Sequence, residues 1–172
     1  ILFLLGTTVW GAQDERIRIL GIGNSFTENA TRYLPAIIRS NPEIQADVAV
    51  AGIGGSPLEL HVRLAEAHES DPEQGKRYKY LYNLRLRDNE VALKEILESE
   101  DWDYVTIQQV SHHSYKPESY RPYAKQLVDY VKKYVPEAKI VLHETWPHSI
   151  DSYRFKDWGL DPDDMYAQLH SA

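Results

Sequence analysis

With 172 residues, 42% of them hydrophobic and 26% charged, the chain has the composition of one globular domain with a sizeable core, which excludes the disordered and fibrous classes. A net charge of −7 argues against nucleic acid as a partner, because phosphate binding relies on clustered Lys and Arg. The absence of cysteine excludes disulfides, thiolate catalysis and zinc–thiolate sites.

In chain order, residues 1–5 are apolar and run through small and β-branched residues to Gly11 and Ala12, then into the polar stretch 13–16. Residues 1–12 read as the remnant of a signal peptide, which predicts export to the periplasm or the outside of the cell; a buried first strand is the alternative. No other stretch approaches the roughly 20 apolar residues that span a bilayer, so no membrane is expected for the mature form.

From residue 17 onward, strands and helices alternate. A predicted strand over 17–22 delivers Gly23-Asn24-Ser25 to a helix predicted over 28–39, with Leu34, Ile37 and Ile38 on one face and Asn41-Pro42 as its stop. A second strand, 47–51, opens into the loop Gly52-Ile53-Gly54-Gly55-Ser56-Pro57, and a helix over 58–67 follows with Pro57 in its first turn. The tract 70–87 has no clear period and reads as an excursion or a small hairpin. Its basic and aromatic run 76–80 is flanked by acidic residues and reads as a solvated surface. Residues 90–98 are predicted helical, burying Val91, Leu93, Ile96 and Leu97.

A third strand, 102–107, ends at Gln108-Gln109-Val110-Ser111. A helix over 122–134 carries Leu127, Val128 and Val131 inward. The fourth strand, 139–142, ends at His143-Glu144-Thr145-Trp146, and a last helix starts at Asp161 with Pro162 in its first turn. This alternation predicts an α/β fold, a parallel sheet with helices on both faces.

In such a sheet the strand ends open onto one edge, where ligands bind. Ser25, the glycine loop, Gln108-Gln109 and His143-Glu144 therefore converge. A serine at a helix N-terminus has free backbone N–H groups beside it that suit an oxyanion. The plainer alternative is that Asn24 and Ser25 simply cap the helix.

At these residues the chain resembles the SGNH (GDSL-like) hydrolases, in a branch whose nucleophile motif reads Gly23-Asn24-Ser25-Phe26. The resemblance covers residues 17–172, the predicted domain, and implies a three-layer, flavodoxin-like α/β/α sandwich. It places the nucleophile on Ser25. It places the oxyanion hole on the Ser25 and Gly55 N–H groups and on an amide of Gln108 or Gln109, where most members carry Gly-x-Asn-Asp. Asn24, Ser56, His61, Ser111, His143, Glu144 and Trp146 are the candidate cleft lining.

The family's Asp-x-x-His block, which supplies the general base, does not occur in this sequence. The expectation is therefore a fragment open at both ends, lacking its last strand and with little turnover of its own. The implied activity is hydrolysis of acyl esters, acetyl esters of carbohydrates among them, with no cofactor. A non-catalytic carbohydrate-binding or cell-surface domain on the same fold is the alternative. The seven histidines show no metal-ligand spacing, so no metal is expected. His143 and His148 are the residues that could replace the missing base. The sequence sets no oligomeric state.

Overall fold

The structure, a computed structural model, describes residues 16–172. The expected leader at 1–12 lies outside the described residues.

One six-stranded sheet organises the chain: β1 (Ile17–Gly23), β2 (Ala46–Gly52), β3 (Tyr78–Tyr82), β4 (Arg85–Val91), β5 (Tyr104–Ile107) and β6 (Lys139–Leu142). Their order is β4-β3-β2-β1-β5-β6. The strands β2, β1, β5 and β6 are parallel, and β3 and β4 add an antiparallel hairpin beside β2. In register, Gly23 lies opposite Gly52, Ile22 opposite Ile107, and Ile107 opposite Leu142, so the four parallel strands end together.

Strand β1 shows why the two faces differ. Its side chains alternate, with Leu20 and Ile22 on one face and Gly21 and Gly23 on the other. Leu20 and Ile22 join Ala49, Ala51, Val105 and Ile107 in the main core. That face is covered by α3 (Leu58–Ser70), α4 (Leu93–Leu97) and α5 (Tyr123–Tyr134), which bring Leu58, Val62, Leu93, Ile96, Leu97, Leu127 and Val131. Each such side chain contributes roughly 1.5–3 kcal/mol by leaving water.

The glycine face takes α1 (Ser25–Thr31), which sits directly on β1 and β2, with α2 (Leu34–Ser40) beside it on β2. The approach is close. A Cβ on Gly21 would stand 2.5 Å from Thr27 Cγ2, and one on Gly23 would collide with Thr27 Oγ1 and the Gln108 side chain. A second, smaller cluster joins Tyr115 to Phe155 of α6 (Tyr153–Trp158) and to Met165 and Leu169 of α7 (Pro162–Ser171).

The structure departs from the sequence reading in four places. The helix expected over 28–39 is two helices, α1 starting at Ser25 itself and α2 restarting with Pro35 in its first turn. Ile37, expected inward, is 61% exposed. The tract 70–87, by contrast, contains the small hairpin that is one of its two readings; the hairpin turns at Asn83 and Leu84, both at positive φ. Asp47 holds that turn, accepting from Asn83 Nδ2 at 2.7 Å and from the Tyr82 hydroxyl at 3.0 Å. Strand β4 extends through Val91, so the helix expected from residue 90 is only α4. The Glu95 carboxylate accepts from the Ala92 N–H at 2.8 Å and fixes where it starts. Helix α6 was not expected, although Ser152 caps its start and left-handed Gly159 its end.

The close seat of α1 gives a test by compensation. Gly21→Ala is expected to cost about 1–3 kcal/mol by overpacking. Adding Thr27→Ser, which deletes the offending methyl and keeps the hydroxyl, should recover most of that loss in urea-denaturation midpoints. A double variant no more stable than the single one would refute the steric account.

Candidate active site

The first strand end builds an elbow. Asn24, extended at φ −131° and ψ −154°, is the N-cap of α1, and its Oδ1 accepts from the Phe26 N–H at 3.1 Å. Capping is thus the work of Asn24. Ser25, the first helical residue, is exposed, and among the described residues neither its hydroxyl nor its N–H has a hydrogen-bond partner.

The second strand end is a tight turn. The Ser56 N–H donates to Ile53 O at 3.2 Å, across Gly54 and Gly55. Gly55 has φ +67°, while a Cβ there would meet nothing within 4 Å, so conformation rather than space calls for glycine. The N–H groups of Gly54 and Gly55 have no partner among the described residues.

Elbow and turn are joined. Asn24 Nδ2 donates to Ser56 O at 3.0 Å, Ile53 N–H donates to Gly23 O at 2.9 Å, and Ser56 Oγ donates to Ile53 O at 2.8 Å. Ser56 and Asn24, expected to line the cleft, are each 1% exposed and form its foundation instead.

The third strand end corrects an expectation. Gln108 is wholly buried; its Nε2 donates to Asn24 Oδ1 at 3.2 Å and to Gln109 O at 2.9 Å, and its Oε1 accepts from the Thr27 hydroxyl at 2.6 Å. Gln109 Nε2 donates to Ser119 O at 2.9 Å and to Ser119 Oγ at 3.2 Å. Its Oε1 accepts the N–H of Leu58, the first residue of α3, at 3.1 Å. All four amide hydrogens are committed to protein acceptors, so neither Gln108 nor Gln109 offers an oxyanion a free donor here. They brace Asn24, α1 and α3.

His61 is also corrected. It is wholly buried, not in the cleft, with Nε2 at 2.9 Å from Ser56 Oγ and Nδ1 at 2.8 Å from the Tyr78 hydroxyl. Tyr78 lies on the hairpin, where the sequence showed no period and so no signal for it. Burial pushes His61 down to about 4 and raises Tyr78, so both are neutral at pH 7.

Around the elbow lies an aromatic wall that the sequence only partly showed. The Phe26 ring, adjacent to Ser25 in the chain, stands 4.6 Å from that of Trp146, which is 42% exposed. His148 packs edge-on to Phe26 at 5.7 Å and lies 5.4 Å from the Trp158 ring. Its Nε2 is 3.1 Å from Ser111 Oγ, and Ser111 is 7% exposed. His143 is half-buried with its ring 6.2 Å from Trp146, and its N–H continues the β5–β6 pairing to Ile107 O at 2.8 Å. Desolvation lowers the pKa of both His143 and His148. Glu144 is exposed, with His170 Nδ1 3.8 Å from its carboxylate. Among the described residues no histidine hydrogen-bonds Ser25 Oγ.

A mostly parallel six-stranded sheet flanked by helices is an α/β fold similar to SGNH hydrolase-like structures. The chain belongs to the DUF4886 family, described as a domain of unknown function, whose profile matches residues 18–171. It is similar to the crystal structure of a DUF4886 family protein from Bacteroides uniformis ATCC 8492, with 26% identity, a TM-score of 0.79, and coverage of 91% of this chain. The chain spans 61% of that protein's length. A protein from Slackia heliotrinireducens, provisionally described as an SGNH hydrolase, shares the fold at 22% identity and a TM-score of 0.57, covering 91% of this chain and 71% of its own. No curated protein matches the chain significantly.

The buried histidine makes stability pH-dependent. The folded-state pKa of about 4 lies below the unfolded value of 6.5, so the unfolded chain binds the proton first. Stability conferred by keeping His61 neutral is therefore full above pH 6.5 and falls as pH drops toward 4, by roughly 3 kcal/mol in all. Urea midpoints between pH 7 and 4 should fall less steeply in His61→Gln than in the native protein; parallel curves would show that His61 does not carry the effect.

Proposed function

We propose that this protein is a serine ester hydrolase of the SGNH type, with Ser25 as its nucleophile. The observation that carries the reading is the Ser25 elbow. Its hydroxyl is exposed and unengaged because Asn24 does the capping, and its own N–H is free beside it. In the proposed reaction, Ser25 Oγ attacks the ester carbonyl, and the oxyanion accepts hydrogen bonds from the N–H groups of Ser25 and Gly55. The hydroxyl proton passes to a base, then to the departing alcohol. Water then hydrolyses the acyl-enzyme. The resemblance implies that this base is a histidine of an Asp-x-x-His block, which residues 16–172 do not contain.

The substrates fitted by this reading are acyl esters of small alcohols or carbohydrates, acetyl esters among them. The exposed Trp146, its ring tilted 40° against that of Phe26, offers a flat surface beside the elbow for the alcohol portion. With the leader read at 1–12, the proposal extends to an exported enzyme.

In the full-length protein, a fluorophosphonate is expected to label Ser25. Ser25→Ala should abolish labelling and lower hydrolysis of short-chain aryl esters by roughly 10³-fold or more. Undiminished hydrolysis in Ser25→Ala would identify a different nucleophile. A native protein that is neither labelled nor active, yet binds acetylated oligosaccharides, would favour the non-catalytic alternative.

A further inference from the structure

Beneath the Gly54–Gly55 turn runs a chain of three buried side chains: Ser56, His61 and Tyr78. Ser56 is 1% exposed and the other two are at 0%. Their polar atoms meet at 2.9 Å (Ser56 Oγ to His61 Nε2) and 2.8 Å (His61 Nδ1 to the Tyr78 hydroxyl), and the His61 and Tyr78 rings stack at 5.5 Å. One proton arrangement satisfies every group. Among the described residues the Tyr78 hydroxyl has no other partner, so it donates to Nδ1. His61 then carries its proton on Nε2 and donates to Ser56 Oγ, whose own hydrogen goes to Ile53 O at 2.8 Å. The opposite tautomer would leave the Tyr78 hydrogen buried without an acceptor, which costs more than a made bond returns.

We infer that His61 is a positioning residue for the candidate active site: anchored by Tyr78, it holds Ser56 and thereby fixes the glycine turn in the conformation that presents its N–H groups. The inference rests on the proposed role of Gly55 as an oxyanion donor. The turn needs such a hold. Gly54 and Gly55 are both exposed, a Cβ on either would touch nothing within 4 Å, and Gly55 is left-handed, so no side-chain packing restrains them. Restraint comes from Ser56, held at its N–H by Ile53, at its carbonyl by Asn24, and at its hydroxyl by Ile53 and His61. Of these holds, only the one from His61 comes from beyond the strand ends: from the second turn of α3 and, through Tyr78, from the hairpin. An apolar side chain would fill the same space without needing three matched polar groups, so volume alone does not account for a histidine here.

The test uses the full-length protein with His61→Phe, which keeps a ring but removes both nitrogens, and His61→Gln, whose amide can restore the donor to Ser56. For aryl acetate hydrolysis and for fluorophosphonate labelling, His61→Phe is expected to lower kcat and the labelling rate by about 10–100-fold with KM changed less than about two-fold, as loss of a well-placed oxyanion donor does. His61→Gln should recover most of that loss. Val131→Ala, a core truncation remote from the turn, serves as the control for lost stability and should keep its kcat. Backbone amide resonances of Gly54 and Gly55 supply a readout independent of activity: sharp and single in the native protein, broadened or multiple in His61→Phe, and restored in His61→Gln. A folded His61→Phe protein with native kcat, or with unchanged Gly54 and Gly55 resonances, overturns the inference. A native protein with neither turnover nor labelling overturns the proposed hydrolase, and the resonances then decide alone whether His61 holds the turn.

Discussion

The buried amide of Asn24 ties together the ends of three parallel strands. Its oxygen accepts from Phe26 N–H at the start of α1 and from Gln108 beyond β5; its nitrogen donates to Ser56 beyond β2. Strand registry brings these ends within reach, but registry alone leaves three loops free to move independently. A carboxylate could accept those two bonds but could not donate the third, and a serine hydroxyl has a single hydrogen and a shorter reach. The placement of Ser25 and of the glycine turn follows from this one side chain more than from any other.

The layer around Asn24 consists of neutral polar groups: Thr27, Ser56, His61, Tyr78, Gln108, Gln109 and Ser114 are all buried. Amides and hydroxyls confer directional rigidity without the desolvation penalty of buried ions. Thr145 Oγ1 is the exception, buried with no partner among the described residues. The ion pairs of Glu69 with Lys133 and of Lys125 with Asp129 are on the surface, where water screens them and they add little.

The parallel strands were legible because each is a short apolar run leading into a polar turn, and β1, β2, β5 and β6 fall close to where those runs lie. Strand β4 was not, since it is exposed along almost its whole length and its pairing is dictated by β3 and by Asp47 across the sheet. The break between α1 and α2 was masked by apolar residues whose spacing continues through it. At the site, the position of Ser25 could be read from the strand-to-helix switch. The fates of His61 and of the two glutamines could not, because a polar residue near a strand end can face the ligand or support the loop, and only tertiary contacts decide which. His61 lies on an amphipathic helix, but its partner Tyr78 comes from the hairpin that carried no periodic signal.

The glycine turn has a consequence for how such a site diversifies. Its donors are main-chain N–H groups, set by backbone geometry and shared by every residue type except proline, so the side chains around them are under no obligation to perform that task. Phe26, Trp146 and His148 are free to change size and polarity while the polar scaffold beneath stays as it is. Related chains can therefore differ widely in the face around the elbow and still hold the same turn geometry, with the constancy hidden in buried amides and the variety displayed at the rim.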